Sequence, residues 1–209
     1  QGAFLTASTQ AAERIYRAQP HETAQVRTRL TAHEGARLDW LPQETILFDE
    51  GALDRRLEIH LAPDAEFLGV EPLVLGRQAM GETVARARFR DAWRLHVDGR
   101  LVWADGLRLV GELAPLLAAP AAFGGRIACA TAVRAGPSSE AAFHTARNLL
   151  SSLSDAEGQA LGAVSRVGPE GSEITVARIL ARDGRALRRI LVPLLEDWRA
   201  EPLPRVWTM

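Results

Sequence analysis

The stretch "WRLHVDGRLVW", residues 93–103, constrains this chain more than any other. Trp93, Leu95 and Val97 alternate with charged residues and lead directly into Asp98-Gly99. A period of two places one set of side chains on one face of a strand, and Asp-Gly tolerates the positive φ angles of a type I′ turn. The stretch therefore predicts a β-hairpin, half buried. "RLEIHL" (56–61) repeats the alternation, with Leu57, Ile59 and Leu61 on one parity. Turn signals at Glu34-Gly35, Glu50-Gly51, Pro63-Asp64 and Asp105-Gly106 divide the first half of the chain into short strands. That pattern fits a sandwich, a barrel or stacked β coils. No fixed sequence period marks a regular solenoid.

Beyond residue 110 the period changes. Residues 111–125 are rich in Ala, Pro and Leu and predict a packed connection, and "GRIACATAV" (125–133) returns to strand character. Ser138 or Ser139 then precedes a stripe of Ala142, Phe143, Ala146, Leu149, Leu150 and Leu153, the spacing of an amphipathic helix with a serine cap. "SDAEGQ" (154–159) predicts a polar loop and "EITVARILA" (173–181) a strand. Asp183 caps a second expected helix whose stripe is Leu187, Ile190, Leu191, Leu194, Leu195 and Trp198, with a kink expected at Pro193. The expected fold is mainly β, a stack of strands with two α-helices near the C-terminus, in one domain over residues 1–209. The chain opens on "QGAFLTAST" without methionine, which suggests a preceding segment.

Composition narrows the function classes. Hydrophobic residues make up 47% of the 209 positions and charged residues 24%, enough apolar surface to offset ordering entropy. The 25 basic and 26 acidic residues nearly cancel, so no basic excess points to nucleic acid. All the basic residues are arginine. Cys129 is the only cysteine, which excludes an intrachain disulfide and CxxC zinc sites and fits a reducing, cytoplasmic setting. No apolar run approaches the roughly 20 residues that span a bilayer. GxSxG, GxxxxGK[ST] and GxGxxG are all absent. His21, His33, His60, His96 and His144 are dispersed, with neither HxH nor HxxxH spacing, so a closed metal site is the minor reading. His60 and His96 occupy polar positions of alternating strands and are expected at the surface.

Carboxylates are the remaining candidates. Glu44, Asp49, Glu71 and Glu82 each adjoin an apolar run, and a carboxylate buried there needs a cation or a pair. They fit a metal path, a glycosidase pair or solvated strand ends. "LVLGRQAMGE" (73–82), with Gly76 and Gly81, reads as a strand ending in a tight turn.

Several blocks in order resemble the UreD (UreH) family of urease accessory proteins: "LTASTQAAERIYR" (5–17), "PQETILFD" (42–49), "EPLVLGRQAMGE" (71–82), "RDAWRLHVDGRLVWADGLRL" (90–109) and "PLPRVW" (202–207). Pro72 stands where the family usually carries a larger apolar residue and is expected to bend its strand. The family's glycine-rich start has no counterpart here. The resemblance implies a helix-like stack of strands with two α-helices and a non-enzymatic role. It implies binding to apo-urease and to the companion proteins UreF and UreG, a GTPase, with nickel reaching the urease site through a water-filled passage. A transfer path must hold nickel weakly and in steps, which suits carboxylates and water better than imidazole or thiolate. Under that resemblance Glu44, Asp49, Glu71 and Glu82 line the path and Arg77 pairs with one of them. No resident cofactor is implied, only transient nickel. Tyr16 with Arg17, Trp198 with Arg199, and Arg205 with Trp207 join aromatic and guanidinium groups, the residue types that anchor protein interfaces. The alternatives are a β-helix carbohydrate hydrolase using a carboxylate pair and a purely structural binding module.

Overall fold

The computed structural model describes residues 2–77, 80–153 and 159–208. Three flattened coils open the chain. The first runs β1 (Phe4–Ala7), β2 (Glu13–Ile15), β3 (Ala24–Ala32), and the second β4 (Arg37–Trp40), β5 (Thr45–Leu47), β6 (Ala52–Leu61). The third is β7 (Glu66–Leu75) followed by β8 (Arg86–Val97). Each coil stacks in parallel on the one before: β1 on β4 on β7, β2 on β5 on β7, and β3 on β6 on β8. The coils are unequal in length, since Phe4 lies opposite Arg37, Ala24 opposite Leu53 and Ala52 opposite Arg88. That inequality hides the stack from a search for a fixed sequence period.

The hairpin at Asp98-Gly99 ends the coiling. Both residues have positive φ, 49° and 72°, and β9 (Arg100–Glu112) returns antiparallel to β8. A short helix α1 (Ala114–Ala118) lies in the Ala/Pro/Leu connection. Then β10 (Ala128–Ala135) pairs antiparallel with β7, and α2 (Ser139–Leu153) follows. β11 (Ala160–Val167) and β12 (Ile174–Ala181) add to the β10 edge, and α3 (Gly184–Arg199) completes the core. Among the described residues the result is an inner sheet of eight strands and an outer sheet of four, β3-β6-β8-β9.

Three layers follow from strand parity. Leu68, Val70, Ala130, Ala132, Ala177 and Ile179 face α2 and α3, where Ala146, Leu150, Leu187, Ile190, Leu191, Leu194 and Trp198 close one core. The opposite parity faces the outer sheet. That second space holds two separate apolar clusters, one around Leu57, Ile59, Phe67, Trp93 and Val133, the other around Leu47, Leu53, Leu73, Phe89 and Leu109. What separates them is the candidate site.

Several sequence expectations need correction. Asp105-Gly106 is no turn, because both residues lie inside β9, Asp105 opposite Trp93 and Gly106 opposite Ala92. β11 was not foreseen; its pattern, "ALGAVSRV", is too small and mixed to alternate cleanly. Asp183 does cap α3, its Oδ1 accepting from Ala186 N at 2.7 Å. Neither serine caps α2 with its hydroxyl: Ser139 Oγ donates to Glu173 O at 2.9 Å, and the buried Ser138 hydroxyl has no partner. β7 runs unbroken through Pro72, which lies opposite Ala130. The Leu75 N–H points to β10 and the Gly76 N–H to β5, so the alternation aims the Pro72 nitrogen toward residues 41–44, between the two short pairings of β7 with β4 and β5. A strand position with no ladder bond to make is one that proline tolerates. The loop expected at 154–159 falls, except for Gln159, outside the described residues, as do the Leu153 side chain and Gln78 and Ala79.

Candidate functional site

Five strands carry one polar residue each at the level between the two apolar clusters. On β6 the inward parity is Leu53, Arg55, Leu57, Ile59; on β8 it is Phe89, Asp91, Trp93, Leu95. On the inner sheet Glu71, Thr131 and Arg178 fall in one register row across β7, β10 and β12. Stacking in register therefore joins five single interruptions into one polar band.

Arg55 is its centre. The guanidinium grips Asp91 with two bonds, Nε to Oδ1 at 3.1 Å and Nη2 to Oδ2 at 2.8 Å. Its Nη1 reaches Glu71 Oε2 at 2.5 Å and Thr45 Oγ1 at 3.0 Å. Trp40 Nε1 donates to the other Glu71 oxygen at 2.9 Å. Arg55, Glu71 and Asp91 are all less than a tenth exposed. One buried cation thus faces two carboxylates, an excess of one negative charge when both are ionised. Burial pushes the Glu71 carboxyl above its usual range, Arg55 opposes that shift, and the Asp91 charge adds to it. Burial works against the Arg55 charge, but Glu71 and Asp91 more than offset it and hold the guanidinium protonated.

The band reaches the surface on both sides. Toward the first coil, Thr45 Oγ1 donates to Glu13 Oε2 at 3.4 Å, and Glu13 is exposed on β2. Toward β12, the band leads through Thr131 to Arg178, which pairs with Asp105 at 2.8 Å. That pair stands in a groove of about 550 Å³ lined by Leu107, Phe123, Cys129, Thr131 and Leu161 among others. Burial pushes the Cys129 thiol up to about 12, so it stays protonated and is a poor metal ligand.

The four singled-out carboxylates do not converge. Glu71 alone lies in the band. Glu44 turns to the helix side, where Arg188 of α3 binds its Oε2 at 3.2 Å together with Gln43 Oε1 at 3.1 Å. Asp49 Oδ1 accepts from the Ala85 and Arg86 amides at 2.8 and 3.0 Å, a loop staple. Glu82 pairs with Arg77 Nε at 2.9 Å and also accepts from the Asp49 amide. The hydrogen bond from Arg77 holds the Glu82 carboxyl below its usual range. Arg77 does pair with one of the four, and also lies 4.6 Å over the Phe48 ring.

Two aromatic anchors need correction. Trp198 is buried, its Nε1 donating to Ala142 O at 2.9 Å, and Trp207 is buried with its Nε1 on Leu41 O at 2.9 Å. Both close the α2–α3 core and present nothing to a partner. Arg199 beside Trp198 is buried too, bound to Asp39 Oδ2 at 2.9 Å. Arg205 is exposed. Tyr16 is 60% exposed with its ring edge on Phe48, and Arg17 beside it pairs with Glu50. The Tyr16–Phe48–Arg77 stack therefore leaves one aromatic ring and one guanidinium exposed on either side of the buried Phe48. No helix among the described residues is long and apolar enough to cross a membrane.

A family model described as UreD urease accessory protein matches residues 1–208. A protein named urease accessory protein UreD from Sinorhizobium medicae is 45% identical over 210 residues, which is 100% of this chain and 73% of that protein. Its namesake from Rhizobium etli is 46% identical over 209 residues, 100% of this chain and 72% of that protein. The Xanthobacter autotrophicus protein of the same name is 46% identical over 206 residues, 99% of this chain and 68% of that protein.

Proposed function

The chain belongs to the UreD family of urease accessory proteins, and from that premise we propose that it is a non-catalytic, cytoplasmic scaffold of urease maturation whose polar band forms part of the route by which nickel reaches apo-urease. In this reading the chain binds apo-urease and the UreF–UreG pair, and nickel is cargo rather than a resident cofactor. The observation that carries it is the Arg55–Glu71–Asp91 cluster, a buried site with one cation for two carboxyls, of which burial favours the protonated form of Glu71. A single buried guanidinium between two carboxylates is costly as pure structure, since burying charge seldom repays its desolvation. A cation passing through can take the place of the Glu71 proton for as long as it stays. Carboxylates and a hydroxyl, with a protonated thiol nearby, bind nickel weakly enough to release it.

The hydrolase reading loses support from the same geometry. A glycosidase needs two carboxyls flanking a sugar in an open cleft. Glu71 and Asp91 are held by one guanidinium inside the sandwich, and Glu44 lies on the other face of the inner sheet. A purely structural module would also carry buried ion pairs, but it gives no role to a polar band reaching the surface on both sides.

The test is reconstitution. With full-length chain, apo-urease, UreF and UreG, a stable complex should form, and urease activity should appear on adding nickel only when the chain is present. Activation at the same level without the chain would refute the reading.

A further inference from the structure

The outward face of the outer sheet carries a second group of metal-capable side chains that the maturation reading does not use. His60 on β6 stands directly opposite His96 on β8, and their rings stack with centroids 4.7 Å apart and planes 6° from parallel. Glu58, two residues earlier on the same face of β6, brings its Oε1 within 3.2 Å of His60 Nε2. One ligand atom from each of the three lies within 4.8 Å of the other two. The sequence showed none of this, because the ligands come from two strands that pair only once the coils have stacked.

Two further observations point to a ligand. His96 follows a register shift between β8 and β9 at Leu95/His96, and such a bulge re-aims the side chain beside it. The His96 Nδ1 is buried with no hydrogen-bond partner. In addition, His33, Glu34 and Asp98 share with His60 a depression of about 510 Å³, which brings a further imidazole and two carboxylates to the same end of this face.

We propose that Glu58, His60 and His96 form a surface site for a first-row divalent cation of the nickel or zinc type. Two imidazoles and a carboxylate are borderline donors that such ions prefer, and water from the depression can complete the coordination shell. Arg29 donates to the other Glu58 oxygen at 3.2 Å, orienting the carboxylate as an outer-shell partner does. Arg94 lies opposite Glu58 on β8. The two nearby guanidinium charges weaken the site, so it exchanges its ion readily. It faces away from the band, since Glu58 and His60 have the opposite strand parity to Arg55, and it does not depend on the passage.

Calorimetric titration of the full chain with nickel chloride and separately with zinc chloride tests the site. One equivalent should bind in the micromolar range. His60→Ala and His96→Ala should each weaken binding by about tenfold or more, and Glu58→Gln by less, with unchanged circular-dichroism melts. Glu71→Gln should leave this binding event as it was, which separates the surface site from the band. Absence of binding in the wild type, or wild-type affinity in both histidine variants, would overturn the proposal.

Discussion

Arg55 occupies a position where an apolar side chain would pack well, and its neighbours explain why it is an ion. Removing the guanidinium leaves Glu71 and Asp91 facing each other without a cation at less than a tenth exposure. Arg55→Met should therefore lower unfolding stability by about 3–5 kcal/mol, read from the midpoint of urea denaturation. Glu71 gives the cluster a pH signature. Its folded-state carboxyl titrates above the usual glutamate value, so between those two values the folded protein holds a proton that the unfolded chain has released. Stability from this group is present below the unfolded value and is lost as pH rises through the window. The wild type should lose stability across that window more steeply than Glu71→Gln, and parallel pH profiles would remove Glu71 as the cause. The residues of the band were legible in principle. "FRDAWRL" and "LDRRLEI" each carry a charge on the apolar parity, in Asp91 and Arg55, and "VARIL" does so in Arg178. Looking for carboxylates beside apolar runs found Glu71, which shares that parity, but also Glu44, Asp49 and Glu82, which lie outside the band. A charge inside the alternation was the better signal.

At the scale of elements, alternation and capping chemistry carried most of the fold. The hairpin at Asp98-Gly99, the strands around β6 and β8, and α3 with its Asp183 cap follow from local rules that packing does not override. Trp198 shows the opposite lapse, because the stripe Leu187-Ile190-Leu191-Leu194-Leu195-Trp198 already assigned it to the core. Residue type suggested an anchor; helical phase decided against it. Gly136 joins β10 to α2 and illustrates a constraint invisible to pattern. Its φ is 100°, and an added Cβ would sit 2.4 Å from the Ala65 carbonyl oxygen, in the turn that leads into β7. Gly136→Ala should cost about 1–3 kcal/mol from backbone strain alone, and the steric overlap adds to it. Chemical denaturation followed by circular dichroism would measure the loss, and a midpoint unchanged from wild type would mean that the β10–α2 turn tolerates a side chain.

On the scale of the whole molecule, the unequal coils, the reversal at β8–β9 and the helix layer place one polar level across the inter-sheet space. It leads from Glu13 on the first coil to the Asp105–Arg178 pair in the groove. Long-range register created that level. Thr131 faces Glu71 on one side and Arg178 on the other only because β10 is inserted between β7 and β12, a topology that no local motif announces. The measurement that tests the account most directly is the nickel content of urease isolated from maturation complexes carrying the double substitution Glu71→Gln and Thr131→Leu. These changes remove a buried carboxylate and fill the band where Thr131 opens on the groove, away from the outward face of the outer sheet. Urease should co-purify in the wild-type amount yet contain several-fold less nickel than urease matured with the unaltered chain. Nickel loading at the wild-type level in an intact complex would contradict a route through the band.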